Sequence, residues 1–374
     1  MISRRFVVRV TINATRVDVP LEEMRTLAKE HGVEIDFSQG HHTDSAEHER
    51  LRTEAVAAAR SADTVIVFAG NPESEESEGF DRTRLELPAG QIELIDAVAA
   101  VAKRTIVVLA NGGIVSLEGW NDSVDAILEG FLLGQGGGKA IADVLFGTET
   151  PSGHLAETIP LRLEDTPAWL TFPGEQGHVR YGEGVMVGHR YFTTVDRPVR
   201  YPFGHGLSYT TFSTENIVVE PTGHDSLKAT VTVTNTGTRA GKHVVQVYLS
   251  TTAGPVIRPR RILAAFEKIH LEPGQTKEVR VDLDRRVLGY WDIDRDRFIV
   301  APGLYTVQVT ENASSVLLEE TTELDGAGPE LRSRMEAIVG SGGEQSSDDD
   351  SEGTAMMRGS SWGRHPRTAS SFSR

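Results

Sequence analysis

Short apolar runs alternate with amphipathic stretches over the first 160 residues of the chain. Three of the runs are rich in Val, Ile, Leu or Phe with little polar alternation, as expected for parallel strands that helices cover on both faces. These predicted strands are 64–69, 105–110 and 126–132. The remaining predicted elements are helices at 21–31, 45–60, 88–102 and 138–146 and a short strand at 33–37. The order predicts an α/β domain over 1–160, a three-layer sandwich with a mostly parallel sheet.

The pattern changes twice further along the chain. Residues 161–210 are rich in Pro, Gly and aromatic side chains, which predicts a structured connector with few regular elements. Over 211–325 apolar residues recur at every second position, as in KATVTVTN at 228–235, and turn sequences separate the runs. This predicts an all-β antiparallel sandwich as the second domain. The segment 326–374 is rich in Ser and Gly and poor in aliphatic residues, which predicts a disordered tail.

Composition and charge narrow the choice of partners. The 374 residues include 38 Lys and Arg against 54 Asp and Glu, a formal net charge of −16. This is the wrong sign for neutralising phosphates, so we expect neither nucleic acid nor an anionic membrane as a partner. The 0 Cys exclude a thiolate metal site and a cysteine nucleophile. The chain has no apolar run of about 18 residues and no signal-peptide pattern, so we expect a cytoplasmic protein, although a longer parent protein could be secreted.

An acidic loop after the first predicted strand is the strongest candidate for chemistry. It contains Glu73, Glu75, Glu76 and Glu78 and is followed by GFDR at 79–82. In open α/β sheets, ligands bind at the carboxyl ends of the strands, which is where this loop lies. Crowded carboxylates repel one another, which favours keeping one of them protonated as a general acid. The alternative is an ordinary solvated acidic loop.

Three other motifs give weaker signals. GQGGGK at 134–139 lacks the Gly and the Ser or Thr of a phosphate-binding loop, so we interpret it as a tight turn with close backbone packing. The cluster of His41, His42, His48 and Asp44 has no H-E-x-x-H spacing and is interpreted as a polar loop with no metal. The chain also contains no G-x-S-x-G motif of a serine hydrolase.

Several motifs in order resemble the C-terminal half of glycoside hydrolase family three, the β-glucosidase family. In the α/β region and the connector they are ADTVIVFAG at 62–70, ESEGFDR at 76–82, VVLAN at 107–111, AIADVLFG at 140–147, YGEG at 181–184, VGHRYF at 187–192 and YPFGHGLSYTTF at 201–212. Downstream, VTNTG at 233–237 and VQVY at 245–248 resemble the family's fibronectin type III-like domain. The resemblance therefore implies an α/β sandwich followed by a fibronectin-like sandwich.

The same resemblance implies a retaining hydrolase acting on non-reducing terminal β-linked glucose, in an oligosaccharide or an aryl or alkyl β-glucoside. Glu78 matches the family's acid/base, with Glu76 and Glu75 as fallbacks, and Asp81 and Arg82 are expected to form an ion pair that fixes the loop. His189 stands where relatives often carry an aromatic residue. No cofactor is implied, because two carboxyl groups and water suffice.

The Asp nucleophile belongs to a Ser/Thr-Asp-Trp motif in a barrel domain of about 250 residues, which this sequence does not contain. A separate barrel chain could supply it. The alternative function is a catalytically inactive remnant or an accessory module that binds carbohydrate or protein.

Overall fold

The computed structural model describes residues 15–42, 45–77 and 81–326. Glu78 and Asp44 therefore lie outside the described residues, as does the predicted tail from residue 327 onward.

A parallel sheet forms the centre of the α/β region. Its strands are β1 (Val65–Gly70), β2 (Thr105–Ala110) and β3 (Ala126–Glu129), in the order β1-β2-β3. The helices of this region are α1 (Pro20–His31), α2 (Ser45–Ser61), α3 (Ala89–Ala99) and α4 (Gly137–Leu145). All three strands run parallel, with Val67 opposite Val107 and Val108 opposite Leu128. The prediction of an α/β sandwich with a parallel sheet is confirmed.

The core of this region comes from the apolar runs that predicted the strands and helices. Leu87, Ile95, Val107 and Trp120 are completely buried in one cluster that joins α3 to the sheet. Fully burying a large aliphatic or aromatic side chain stabilises the fold by about 1.5–3 kcal/mol. The position of Pro88 directly before α3 suits its missing N–H, because the first turn of a helix leaves that donor unpaired.

Among the predicted elements, one strand does not form, and a second strand and helix α3 end earlier than expected. The expected strand at 33–37 does not form, and Val33 and Phe37 are exposed by 51% and 66% because no described strand pairs with this segment. The third strand ends at Glu129 rather than at residue 132, because Phe131 takes a left-handed φ of 48° that turns the chain away from the sheet.

Short elements connect the α/β region to the second domain. They are β4 (Ile159–Pro160), α5 (His189–Thr194) and β5 (Val199–Tyr201), together with single turns of 3-10 helix at Asn121–Ser123 and Leu163–Asp165. Ile159 pairs antiparallel with Tyr201, so the two ends of the connector lie side by side. Turns and loops form most of the stretch between these strands.

Two antiparallel sheets form the second domain, as the alternation of apolar residues predicted. The strands are β6 (Phe212–Gly223), β7 (Ser226–Asn235), β8 (Gly241–Thr251), β9 (Ile262–Leu271), β10 (Thr276–Leu283), β11 (Tyr290–Asp292), β12 (Arg297–Ile299), β13 (Gly303–Thr310) and β14 (Val316–Leu324), with a short helix α6 (Arg285–Leu288). The sheets have the orders β10-β7-β6 and β14-β13-β8-β9, and β11 pairs with β12. Val233, Leu249, Tyr305 and Val307 are almost completely buried between the sheets. Every second residue of β7 is buried, which is the pattern of a strand with one face on a core.

Among the described residues, no helix is both long and apolar enough to cross a bilayer.

Candidate active site

The carboxyl ends of the three parallel strands place three chain segments at one edge of the sheet. Asn71 follows β1, Asn111 follows β2, and Glu129 is the last residue of β3. This is the edge at which open α/β sheets bind ligands. The acidic loop predicted from the sequence begins here, directly after Asn71.

Gly70 fixes the point at which the acidic loop leaves the sheet. A Cβ at this position would lie 1.9 Å from the carbonyl oxygen of Ala110, so only glycine allows β1 and β2 to approach so closely. The Gln91 side chain, on α3, hydrogen-bonds to the backbone of Gly70. Its Nε2 donates to the Gly70 carbonyl and its Oε1 accepts the Gly70 N–H, both at 2.9 Å.

Glu76 ties the acidic loop to the segment after β2. Its Oε2 accepts a hydrogen bond from Asn71 Nδ2 at 2.8 Å, and its Oε1 accepts the backbone N–H of Gly113 at 2.8 Å. Only 21% of its side chain is exposed. Gly112 leaves room for the carboxylate, since a Cβ there would lie 2.0 Å from Glu76 Oε1. Both oxygens are therefore engaged in holding the loop.

Arg82 anchors the far end of the same loop. Its Nη1 donates to the carbonyl of Ile114 at 2.9 Å and its Nη2 donates to the carbonyl of Leu85 at 3.2 Å. Its nearest carboxylate in the described structure is Glu76, with Nη1 3.8 Å from Oε2. The sequence predicts an ion pair between Arg82 and Asp81. This prediction is wrong, because the carboxylate near Arg82 is that of Glu76. Arg82 contacts Glu76 instead because both side chains reach back to the segment after β2.

Glu75 faces a small polar cavity on the outside of the loop. Its Oε2 lies 2.5 Å from Arg84 Nη2, and more than a third of each side chain is exposed. The cavity has a volume of about 180 Å³ and is lined by Asn71, Ser74, Glu75, Asp81, Arg82, Thr83, Arg84 and Glu86. Glu75 is therefore held in a surface ion pair.

Glu78, the assigned acid/base, lies outside the described residues, as do Gly79 and Phe80. Its described neighbours along the chain are Ser77 and Asp81. Glu76 and Arg82, which bracket this segment, are within 4 Å of each other. Of the three candidate carboxylates, the structure thus describes Glu75 and Glu76 and gives each a partner.

Glu129 is a further carboxyl group at this edge that the sequence analysis did not identify. Its Oε1 accepts the backbone N–H of Phe131 at 2.8 Å, and its Oε2 lies 3.4 Å from Nδ2 of the fully buried Asn111. Burial raises the pKa of Glu129, and the charge of Glu76 adds to this increase. The sequence feature that could have identified Glu129 is an acidic residue at the end of an apolar strand, in ILEG at 127–130.

The histidine cluster, the 134–139 turn and His189 make packing contacts away from the acidic loop. The rings of His41 and His48 lie edge to face at 5.0 Å, and no cluster of three or more potential ligands for a metal occurs among residues 15–42, 45–77 and 81–326. In the 134–139 turn, a Cβ on Gly138 would lie 2.4 Å from the carbonyl oxygen of Asp18, in agreement with close backbone packing. His189 packs against the rings of Phe203 and Tyr248, far along the chain from the acidic loop.

Comparison with known proteins gives a consistent result for both domains. Residues 7–209 match the family model of the glycosyl hydrolase family 3 C-terminal domain, and residues 243–313 match that of the fibronectin type III-like domain. The crystal structure of a family 3 β-glucosidase from Bifidobacterium adolescentis superposes with a TM-score of 0.80 at 43% sequence identity. That match covers 85% of this chain and 47% of the other.

Two curated relatives extend the comparison. An exo-α-(1→6)-L-arabinopyranosidase of Bifidobacterium longum is 43% identical over 304 residues, which are 81% of this chain and 40% of that protein. The thermostable β-glucosidase B of Acetivibrio thermocellus is 40% identical over 318 residues, which are 84% of this chain and 42% of that protein. The chain thus spans less than half the length of the relatives it matches.

Proposed function

The chain belongs to glycoside hydrolase family 3, and from that premise we propose that it carries the acid/base half of a retaining β-glucosidase-type enzyme. In this proposal Glu78 protonates the leaving oxygen while an Asp on a barrel domain attacks the anomeric carbon. Glu78 then acts as the base on the incoming water, which releases the sugar from the enzyme. The substrate is a non-reducing terminal β-D-glucoside, and no cofactor takes part because two carboxyl groups and water suffice.

The anchored acidic loop is the observation that carries this proposal. Glu76 and Arg82 lie on either side of Glu78 in the sequence, and both bond to the segment after β2 at the strand edge where ligands bind. A general acid must be able to approach the leaving oxygen with a proton of its own. Glu76 already accepts two N–H groups, and Glu75 is in an exposed ion pair with Arg84, so each fallback residue already has a partner. Glu78 remains the candidate acid.

An exposed apolar segment supports a barrel partner. Seven large apolar side chains between residues 169 and 187 are each more than 40% exposed: Trp169, Leu170, Phe172, Val179, Tyr181, Val185 and Val187. Exposed apolar patches mark interaction sites, and these seven side chains lie in one stretch of the chain. We propose that the barrel, on a separate chain or in a longer form of this protein, covers this segment and supplies the nucleophile.

The names of the relatives indicate two candidate sugars for the substrate. One is named a β-glucosidase and another an α-L-arabinopyranosidase. A β-D-glucopyranoside and an α-L-arabinopyranoside both present an equatorial leaving group, so one pair of carboxyl groups suits either. In this proposal the barrel chooses between them, because it would supply the contacts to the sugar ring that this chain lacks.

Reconstitution tests the proposal directly. The 374-residue chain is mixed with the barrel domain of a family 3 relative and assayed with nitrophenyl β-D-glucoside and nitrophenyl α-L-arabinopyranoside. Hydrolysis should require both chains, and Glu78→Ala should lower kcat on these activated substrates because the incoming water loses its base. The matched control is Glu75→Ala, which should keep most of the activity because Glu75 is paired with Arg84. Activity that survives in Glu78→Ala but disappears in Glu75→Ala would move the acid/base to Glu75.

The rival function is a non-catalytic module that binds carbohydrate or protein. The observation that favours it is the lack of a Ser/Thr-Asp-Trp motif anywhere in the 374 residues. Such a module would bind the barrel chain, or a β-linked oligosaccharide, without adding turnover. If the barrel chain binds tightly and the pair stays inactive on both sugars, the module is the better description.

A further inference from the structure

A second cavity lies between the connector and the β-sandwich, away from the acidic loop. It has a volume of about 120 Å³, enough for several water molecules. Helix α5 forms one wall, and the segment before β9 and the turn after β13 form the other. The side chains that matter for its chemistry are Thr158, His189, Arg197, Arg260, Arg261 and Ser314.

The charges around this cavity differ from those of the whole chain. Three arginines and one acid, Asp196, line it, whereas the chain as a whole has a net charge of −16. Two of the arginines have carboxylate partners. Arg197 lies 3.5 Å from Asp165, and Arg260 lies 3.6 Å from the highly exposed Asp196. The cavity is therefore a local basic site in an acidic protein.

Arg261 is the unusual member of the group. It is only 8% exposed, and its guanidinium donates to Gln308 Oε1 at 2.8 Å and to the carbonyl of Ala313 at 2.5 Å. Both partners are neutral, and within residues 15–42, 45–77 and 81–326 no carboxylate lies within 4 Å of it. Burial and the neighbouring charge of Arg260 lower the pKa of Arg261, and the smaller opposing effects of Tyr248 and Glu319 do not offset them. A buried cation is costly unless an anion compensates it.

His189 adds an unused polar group to the same wall. Its Nε2 is buried and makes no hydrogen bond in the described structure. Buried polar atoms almost always have a partner, so a water molecule or a ligand group is expected beside this nitrogen. The hydroxyls of Thr158 and Ser314 also line the cavity and can donate to an oxyanion.

We propose that this cavity binds a small oxyanion, a phosphate or a carboxylate, between Arg260, Arg261 and His189. An oxyanion would compensate the buried guanidinium, give His189 Nε2 a partner and bridge α5 to the sandwich. The planar guanidinium groups suit the oxygens of either anion, because they offer paired N–H donors. The site is independent of the proposed hydrolysis, since none of its residues belongs to the acidic loop.

Thermal unfolding of the full chain tests the site. Melting temperature is measured against inorganic phosphate and against acetate, with sodium chloride at equal ionic strength as the reference. Either anion should raise the melting temperature saturably beyond chloride, because it binds the folded state alone. A phosphate preference would indicate a free or esterified phosphate as ligand, and an acetate preference would indicate a sugar or peptide carboxylate.

Three variants test whether the anion binds in this cavity. Arg260→Gln removes a side chain that is 58% exposed, so the chain should fold, and should weaken the apparent affinity about tenfold through loss of a charge-assisted contact. His189→Phe should also weaken it. Arg280→Gln is the matched control, because Arg280 is exposed on β10 and outside the cavity. The proposal is overturned if neither anion acts beyond chloride, or if Arg260→Gln and His189→Phe both bind like the unchanged chain.

Discussion

The Glu76 carboxylate accepts the backbone N–H of Gly113 at 2.8 Å, across 37 residues of sequence. This contact joins the loop after β1 to the loop after β2. It also explains why Gly112 precedes Gly113, because a side chain there would occupy the position of the carboxylate. Within the acidic loop, Glu76 therefore has an anchoring role that the sequence alone did not distinguish from that of its neighbours.

Removing the anchor should destabilise the protein measurably. Glu76→Ala leaves the N–H of Gly113 and the amide of Asn71 without their acceptor, which should lower the free energy of unfolding by about 1–3 kcal/mol. Urea denaturation measures the loss. Glu75→Ala is the control, since its exposed pair with Arg84 should contribute at most about 1 kcal/mol. Equal losses in the two variants would contradict the anchoring role of Glu76.

The acid role of Glu78 predicts a dependence on the leaving group. An activated phenol departs with little protonation, whereas a sugar alcohol needs a general acid. In the reconstituted enzyme, Glu78→Ala should therefore reduce kcat/KM much more for cellobiose than for nitrophenyl β-glucoside. Azide should restore turnover and yield β-glycosyl azide, because a small anion can attack the glycosyl-enzyme without a base. Equal loss on both substrates without an azide product would exclude this role for Glu78.

The apolar pattern predicted most of the fold because backbone geometry sets the strand and helix periods and burial decides which positions are apolar. The β2 run is buried along most of its length and the β1 run at Val67 and Ala69, and both strands form as expected. The 33–37 run alternates apolar and acidic residues but has no pairing partner among the described residues, and pairing depends on residues far away in sequence. Contacts such as Gln91 to Gly70, or Arg82 to Ile114, join side chains to backbone groups 21 and 32 residues away. No local pattern contains that information.

Gly70 should tolerate no larger residue. Gly70→Ala would place a methyl group 1.9 Å from the Ala110 carbonyl oxygen, so β1 and β2 would have to separate. We expect a loss of about 3 kcal/mol or more in the free energy of unfolding, or no soluble protein. Gly153→Ala is the matched control, because a Cβ there meets no atom within 4 Å. A Gly70→Ala protein as stable as Gly153→Ala would show that the strands can move apart at little cost.

His243 should make the stability of the sandwich depend on pH. Burial lowers the pKa of His243 to about 4, whereas an unfolded histidine has a pKa of 6.5. Between these values the unfolded state binds the proton and the folded state does not, so the free energy of unfolding should fall as pH decreases from 6.5 to 4. The slope is at most about 1.4 kcal/mol per pH unit.

The matching variant is His243→Phe, which keeps a ring beside Phe212 at the stacked position. Its stability should fall less steeply with decreasing pH than that of the unchanged chain. His270→Phe, at an exposed position on β9, should keep the original slope. If His243→Phe has the same slope as the unchanged chain over pH 6.5 to 4, then His243 does not contribute to it.

The contribution of Glu129 to the free energy of unfolding should change with pH in the opposite direction and decrease as pH rises. Burial raises its pKa in the folded state, so its contribution to stability is complete below the unfolded pKa of 4.5 and is lost as pH rises through the folded value. Glu129→Gln keeps an acceptor for the Phe131 N–H without the charge, so it should become more stable than the unchanged chain as pH rises from 4.5 to 7.5. Glu129→Ala, which leaves that N–H unpaired, should be less stable than Glu129→Gln by about 1–3 kcal/mol at both pH values. Urea denaturation of the three proteins at the two pH values measures these differences. If the difference between Glu129→Gln and the unchanged chain does not vary with pH, folding does not raise the pKa of Glu129.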